Sequence, residues 1–134
     1  MSGRARVLVI DDEPHFGTLL ARMLGRDHAV TVMTNGQEAL NHITGGARFE
    51  LILCDVMMPQ MTGMVFYEHL AGVAPDTVAR VVFMSGGAFA PGAAEFFART
   101  SIPCIDKPFG LEELLQFVRE QLLRVRVRGD HHSS

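Results

Sequence analysis

Three unbroken apolar runs constrain this 134-residue chain more than anything else in it: "VLVI" (7–10), "LILC" (51–54) and "VVFM" (81–84). A strand with one wet face alternates apolar and polar residues. Short continuous runs like these read as strands buried on both faces of a parallel sheet. Helical patterns lie between them. Phe16, Leu19, Leu20, Met23 and Leu24 form one stripe at i, i+3, i+4, i+7 and i+8, and Pro14 suits the first turn of that helix. Ala39, Leu40 and Ile43 give a shorter stripe after Asn35-Gly36. Leu111, Leu114, Leu115, Val118 and Leu122 mark a long last helix after Gly110. Two weaker strands complete the pattern. "AVTVMT" (29–34) puts Val30 and Val32 on one face and Thr31 on the other, and "PCID" (103–106) is very short.

The order is β-α repeated five times, an α/β sheet with helices on both faces. The fully apolar strands (first, third and fourth) should be central, and the weaker second and fifth should be edges. The order 2-1-3-4-5, the flavodoxin-like doubly wound arrangement, satisfies this. One domain is expected over residues 6–123. Residues 1–5 would form a short extension, and 124–134, "RVRVRGDHHSS", a tail that frays. The His131-His132 pair in that tail reads as tail sequence rather than a metal site.

Nearly half the residues are apolar, 48%, enough for a substantial core. A net charge of −3 argues against a basic nucleic-acid surface. No run approaches the roughly 20 apolar residues of a membrane span, and no export signal precedes the first strand. The expectation is a cytoplasmic protein with no direct contact to nucleic acid or membrane. Cys54 and Cys104 have no metal-ligand spacing. With one strand between them they should lie about 9–10 Å apart, too far to bridge, so both read as buried packing residues.

Sites in open parallel sheets form beyond the carboxyl ends of the strands, at the switch point of the order, here between strands one and three. Polar residues stand just past four of the strand ends: Asp11 and Asp12 after the first, Asp55 after the third, Ser85 after the fourth, Lys107 after the fifth. Neighbouring strands are about 4.8 Å apart, so Asp55 should sit close to Asp11-Asp12. Three crowded carboxylates repel unless a cation offsets them. Hard divalent cations take oxygen ligands, and Mg2+ typically keeps several waters while using one or two carboxylates plus phosphate oxygens. A carboxylate can also attack phosphorus. Each residue has a bland reading too. Asp12 or Glu13 could cap a helix, Asp55 could be a turn residue, Ser85 with Gly86-Gly87 an ordinary loop, Lys107 a surface cation, and His15 an exposed helix residue. Asp11, Asp12, Asp55, Ser85 and Lys107 all at the ends of the predicted strands would be an unusual coincidence.

On the motifs "VLVIDDEP", "LILCDVMMPQMTG", "VVFMSGG" and "DKPF", the chain resembles a response-regulator receiver domain from about Arg6 to about Leu123. The resemblance implies that Asp55 accepts a phosphoryl group from phosphohistidine on a histidine kinase or histidine phosphotransfer protein. It implies Mg2+, with Mn2+ as an alternative, bound by Asp12 directly, by Asp11 often through water, by Asp55 and by the backbone carbonyl of Met57. Ser85, with Gly86 beside it, would follow the phosphoryl group, Lys107 would contact it, and Lys107-Pro108 would be a candidate cis peptide. A receiver is not an enzyme acting on external metabolites; it catalyses only its own phosphorylation and dephosphorylation.

Two departures stand out. Many receivers carry an aromatic residue three positions before the lysine, where it turns inward on activation, and Cys104 stands there. The "SGGAFAPG" loop (85–92) is a candidate carrier of the change instead. Met57 and Gly87 offer no polar side chain to orient a hydrolytic water, so autodephosphorylation should be slow. Alternatives are a pseudo-receiver interaction module and a Mg2+-dependent aspartyl-phosphate phosphatase; no insertion is present to build a phosphatase's substrate cap. A flavodoxin-type FMN site would want a phosphate cradle where Asp11, Asp12 and Glu13 stand. With no DNA-binding segment after the last helix, output is expected through a protein partner. The "MSGGAFAPGAAEFFARTSIPCIDKPF" segment leans toward the receiver of a hybrid histidine kinase. Phe89, Phe96 and Phe97 read as core, with a partner surface as the alternative.

Overall fold

The computed structural model describes residues 4–86 and 92–133, with side chains as far as Arg126. Five parallel strands form one sheet in the order β2-β1-β3-β4-β5: β1 Ala5–Ile10, β2 His28–Met33, β3 Leu51–Asp55, β4 Val81–Ser85 and β5 Cys104–Asp106. The central strands carry the unbroken apolar runs, and the weaker ones are the edges.

Alternation inside those runs divides the core in two. Leu8, Ile10, Ile52, Cys54 and Phe83 point to one face of the sheet. There they meet α2 (Gly36–Thr44), α3 (Gly63–Val73) and α5 (Ala93–Thr100) through Leu40, Ile43, Phe66, Leu70 and Phe96. Val7, Val9, Leu51, Leu53, Val82 and Met84 point to the other face, against Leu20 and Leu24 of α1 (Pro14–Leu24) and Leu114, Val118 and Leu122 of α6 (Leu111–Ser133). Both faces are covered, which is why the runs contain no polar residue.

Several expectations shift. Helix α1 meets the sheet through Gly17, Leu20 and Leu24, which leaves Leu19 on the flank with 50% of its surface exposed. Gly17 sets that orientation: a Cβ there would lie 2.6 Å from Val32 Cγ1, so only glycine lets α1 approach β2 this closely. Strand β1 starts at Ala5, inside the expected extension, and Ala5 is buried at the amino end of this inner strand. Helix α6 runs past Leu123 to Ser133, and Val125, one turn beyond Leu122, is buried. A short α4 (Pro75–Val78) precedes β4. Pro75 disfavours helical geometry at Ala74, which ends α3, and then serves as the first residue of the new turn. Among the described residues no helix is long and apolar enough to cross a membrane.

Candidate functional site

Strand ends build the site. Asp11 lies one residue past β1, but its N–H donates to Met33 O at 3.1 Å, so the ladder with β2 continues through it. Its side chain is fully buried. One oxygen, Oδ1, accepts from the Glu13 N–H at 2.9 Å, and Oδ2 accepts from Lys107 Nζ at 3.0 Å. Asp12 beside it is exposed. Glu13 caps α1, its Oε1 accepting the His15 N–H at 2.7 Å, and the His15 ring is exposed.

Asp55 is the last residue of β3 and is buried. Its Oδ1 accepts from the Met57 N–H at 3.2 Å, and Oδ2 lies 3.5 Å from Lys107 Nζ. Met57 projects an exposed side chain beside the site. Behind Asp55 the start of α3 is pressed against the strand. A Cβ on Gly63 would lie 2.5 Å from the Asp55 carbonyl oxygen and 2.8 Å from the Phe83 ring, so this position admits only glycine without moving the helix.

Ser85 ends β4 half-buried, and its carbonyl accepts the Lys107 N–H at 2.7 Å, which anchors the lysine's backbone to the neighbouring strand. Among the described residues the Ser85 hydroxyl has no hydrogen-bond partner. Gly86 comes next, exposed. The Lys107-Pro108 peptide is cis. The Lys107 side chain reaches across the sheet to touch both Asp11 and Asp55, the groups that β1 and β3 carry.

Cys104 stands apart from this group. In register with Phe83, which is in register with Cys54, it packs against the first core face and is half-buried rather than buried. Burial first, and then the Asp106 charge, push its thiol up to about 11. Both cysteines are free thiols. Phe96 is buried and Phe97 is packed against the same face. Gly87, Phe89 and the rest of the loop through Pro91 lie outside the described residues.

The electrostatics are unbalanced. The Asp55 carboxyl is raised from its ordinary 3.8, first by burial; the Asp11 and Asp12 charges add to this, and the Lys107 charge and the Met57 N–H oppose it. Among the described residues Lys107 pairs with Asp11 and Asp55, and the third acid, Asp12, is exposed beside them. Carboxylate oxygens of Asp11, Asp12 and Asp55 all lie within 4.8 Å of one another. Three hard oxygen donors this close, two of them buried, suit a hard divalent cation such as Mg2+.

The sequence model of the response regulator receiver domain matches residues 7–119, most of the chain. The chain belongs to this family. It is 32% identical over 124 residues, 91% of its length, to the "Sensor kinase CckA" of Brucella abortus, and 29% identical over 119 residues, 88% of its length, to the "DNA-binding transcriptional regulator NtrC" of Azospirillum brasilense. It spans only 13% and 24% of those two proteins. Among solved structures, an uncharacterized protein from Neptuniibacter caesariensis superposes with a TM-score of 0.83 at 27% identity, covering 96% of both chains. A CheY-like response regulator receiver domain protein from Methanospirillum hungatei has a TM-score of 0.81 at 22% identity, covering 94% of this chain and 99% of that one. Receiver domains are signalling modules of two-component systems that bind Mg2+ at an acidic pocket and interact with histidine kinases, phosphotransfer proteins and output domains.

Two features escaped the sequence pattern. The helical stripe assigned Phe16 to the core, yet its ring lies 4.2 Å from Lys107 Nζ. Composition also held a signal: Lys107 is the single lysine in a chain whose other eleven Lys and Arg residues are all arginine. A compact ammonium fits between two carboxylates where a planar guanidinium would need more room.

Proposed function

We propose that this receiver is a phosphoacceptor whose acceptor is Asp55, with a phosphohistidine on a histidine kinase or a histidine phosphotransfer protein as donor. The observation that carries this reading is the convergence of Asp11, Asp12 and Asp55 with Lys107 bridging Asp11 and Asp55. In the transfer, a P–O bond forms to an Asp55 carboxylate oxygen. The P–N bond to the donor imidazole breaks, and its electron pair leaves with the ring nitrogen.

Attack requires ionised Asp55. The Lys107 ammonium and the Met57 N–H favour that form against burial and the neighbouring acids. Lys107 also lies where it can neutralise charge on the incoming phosphoryl oxygens, and Ser85, ending the adjacent strand, offers them a hydroxyl donor. Asp11, Asp12, Asp55 and the Met57 carbonyl would hold Mg2+, or Mn2+ in its place. The bound cation supplies positive charge to the phosphoryl oxygens as the transfer proceeds. The change in charge at Asp55 then alters contacts with a protein output partner. The receiver of a hybrid histidine kinase is the setting favoured here, supported by the likeness to a sensor kinase.

The test is intact mass after incubation with Mg2+ and acetyl phosphate or phosphoramidate. Wild type should gain one phosphoryl group and Asp55→Ala none. Folded wild type that gains nothing would leave a pseudo-receiver.

A further inference from the structure

Lys107 has three neighbours in the site, and only two of them are acids. Its Nζ lies 3.0 Å from Asp11 Oδ2, 3.5 Å from Asp55 Oδ2 and 4.2 Å from the centroid of the Phe16 ring. The ring is held in turn. Phe109, two residues after Lys107, meets it edge-on at 5.9 Å with the planes 63° apart. Phe16 comes from the first turns of α1, and Phe109 from the segment leading into α6. Both rings pack against the second core face, Phe16 against the ammonium and Phe109 against Phe16.

We propose that Phe16 is a positioning residue for phosphoryl transfer. Its π face holds the Lys107 ammonium over the Asp55 carboxylate, and Phe109 fixes the angle of that ring. The proposal rests on Asp55 being the phosphoacceptor. Ammonium groups are drawn to the negative face of an aromatic ring, most strongly when partly desolvated, and the Lys107 side chain is 22% exposed. Lysine is a flexible stem with a point charge and needs outside help to hold one position. The two carboxylates hold the ammonium at 3.0 and 3.5 Å, and the ring adds a third, uncharged contact at 4.2 Å. No second lysine exists in the chain to take over the charge, so rate should depend on this one placement.

A purely structural role predicts something different. Phe16 also packs against the second core face, and leucine would preserve most of that packing while removing the π face. The experiment therefore compares wild type with Phe16→Leu and Phe16→Tyr, each in two measurements. The first is the rate of phosphorylation by acetyl phosphate with Mg2+, followed by intact mass. The second is the NMR spectrum of protein labelled with 13C-lysine, which reports Lys107 alone because it is the only lysine. The expected result is a rate about tenfold lower for Phe16→Leu, within the range of a cation–π contact, with Phe16→Tyr within about threefold of wild type. Lys107 Hε protons should show an upfield ring-current shift in wild type and Phe16→Tyr that is lost in Phe16→Leu.

A Phe16→Leu protein that loses the shift but phosphorylates at the wild-type rate overturns the proposal and leaves Asp55 as acceptor untouched. Equal losses of rate in the leucine and tyrosine variants also overturn it, because the π face would not be what matters. Absence of the ring-current shift in wild type overturns it too. Wild type that takes no phosphoryl group overturns the phosphoacceptor reading itself.

Discussion

Asp55 and Phe83 sit on adjacent central strands, and their surroundings are opposites. Phe83 is ringed by Tyr67, Phe96 and Phe97 at 6.3, 5.8 and 5.6 Å, the last two edge-on, with Phe96 also edge-on to Tyr67 and Phe97. Each added ring there excludes water and gains contact. Asp55 is surrounded by two more acids and a single ammonium, so each added acid raises its free energy until a cation arrives. One region is a packed apolar cluster, and the other gathers three carboxylates whose oxygens lie within 4.8 Å of one another. The aromatic cluster also occupies the sheet face beside Cys104, so that face is filled without a ring on β5.

Breaking the apolar cluster should have the largest effect. Phe83→Ala leaves a cavity among three rings and should cost about 3–5 kcal/mol of stability. Urea denaturation would measure this, and the loss should be the same with or without Mg2+. A loss that depended on the cation would mean the two regions are not separate. Loading the carboxylate site should matter less. Mg2+ at ten times its Kd should stabilise wild type by about 1.4 kcal/mol, read as a thermal shift, and Asp12→Ala should lose most of that gain. An undiminished gain in Asp12→Ala would move the cation elsewhere.

The two regions were not equally legible. The strands were readable because burial on both faces removes every polar residue from them, and the carboxyl-end acids were readable because parallel strands deliver all their ends to one edge. Asp11, Asp12, Asp55 and Lys107 come together for that reason. Phe16 was not readable in the same way. A ring at helical spacing looks like core, and only the reach of the lysine across the sheet brings the ammonium to it. Leu19 was misplaced because periodicity cannot see that Gly17, with no side chain, packs against Val32 of β2 and is buried with Leu20 and Leu24. Helix α6 runs past Leu123 although "RVRVR" has no clear helical stripe, and Val125 is buried by its place one turn after Leu122.

The central claim is that the site gives up stability that a cation restores, and a comparison of melting temperatures for wild type and Asp55→Asn tests it most directly. Burial, with Asp11 and Asp12, holds the Asp55 carboxyl above its ordinary 3.8. The folded state therefore binds this proton more tightly than the unfolded chain does. The penalty is absent below the ordinary value, grows as pH rises through the raised one, and is complete above it. Without metal at pH 7, Asp55→Asn should melt higher than wild type by roughly 3 °C, the scale of small stability changes in a domain of this size. The gap should close as pH falls toward 3.8, and saturating Mg2+ at pH 7 should reverse the order. Metal-free wild type that melts above Asp55→Asn at pH 7 would contradict the claim.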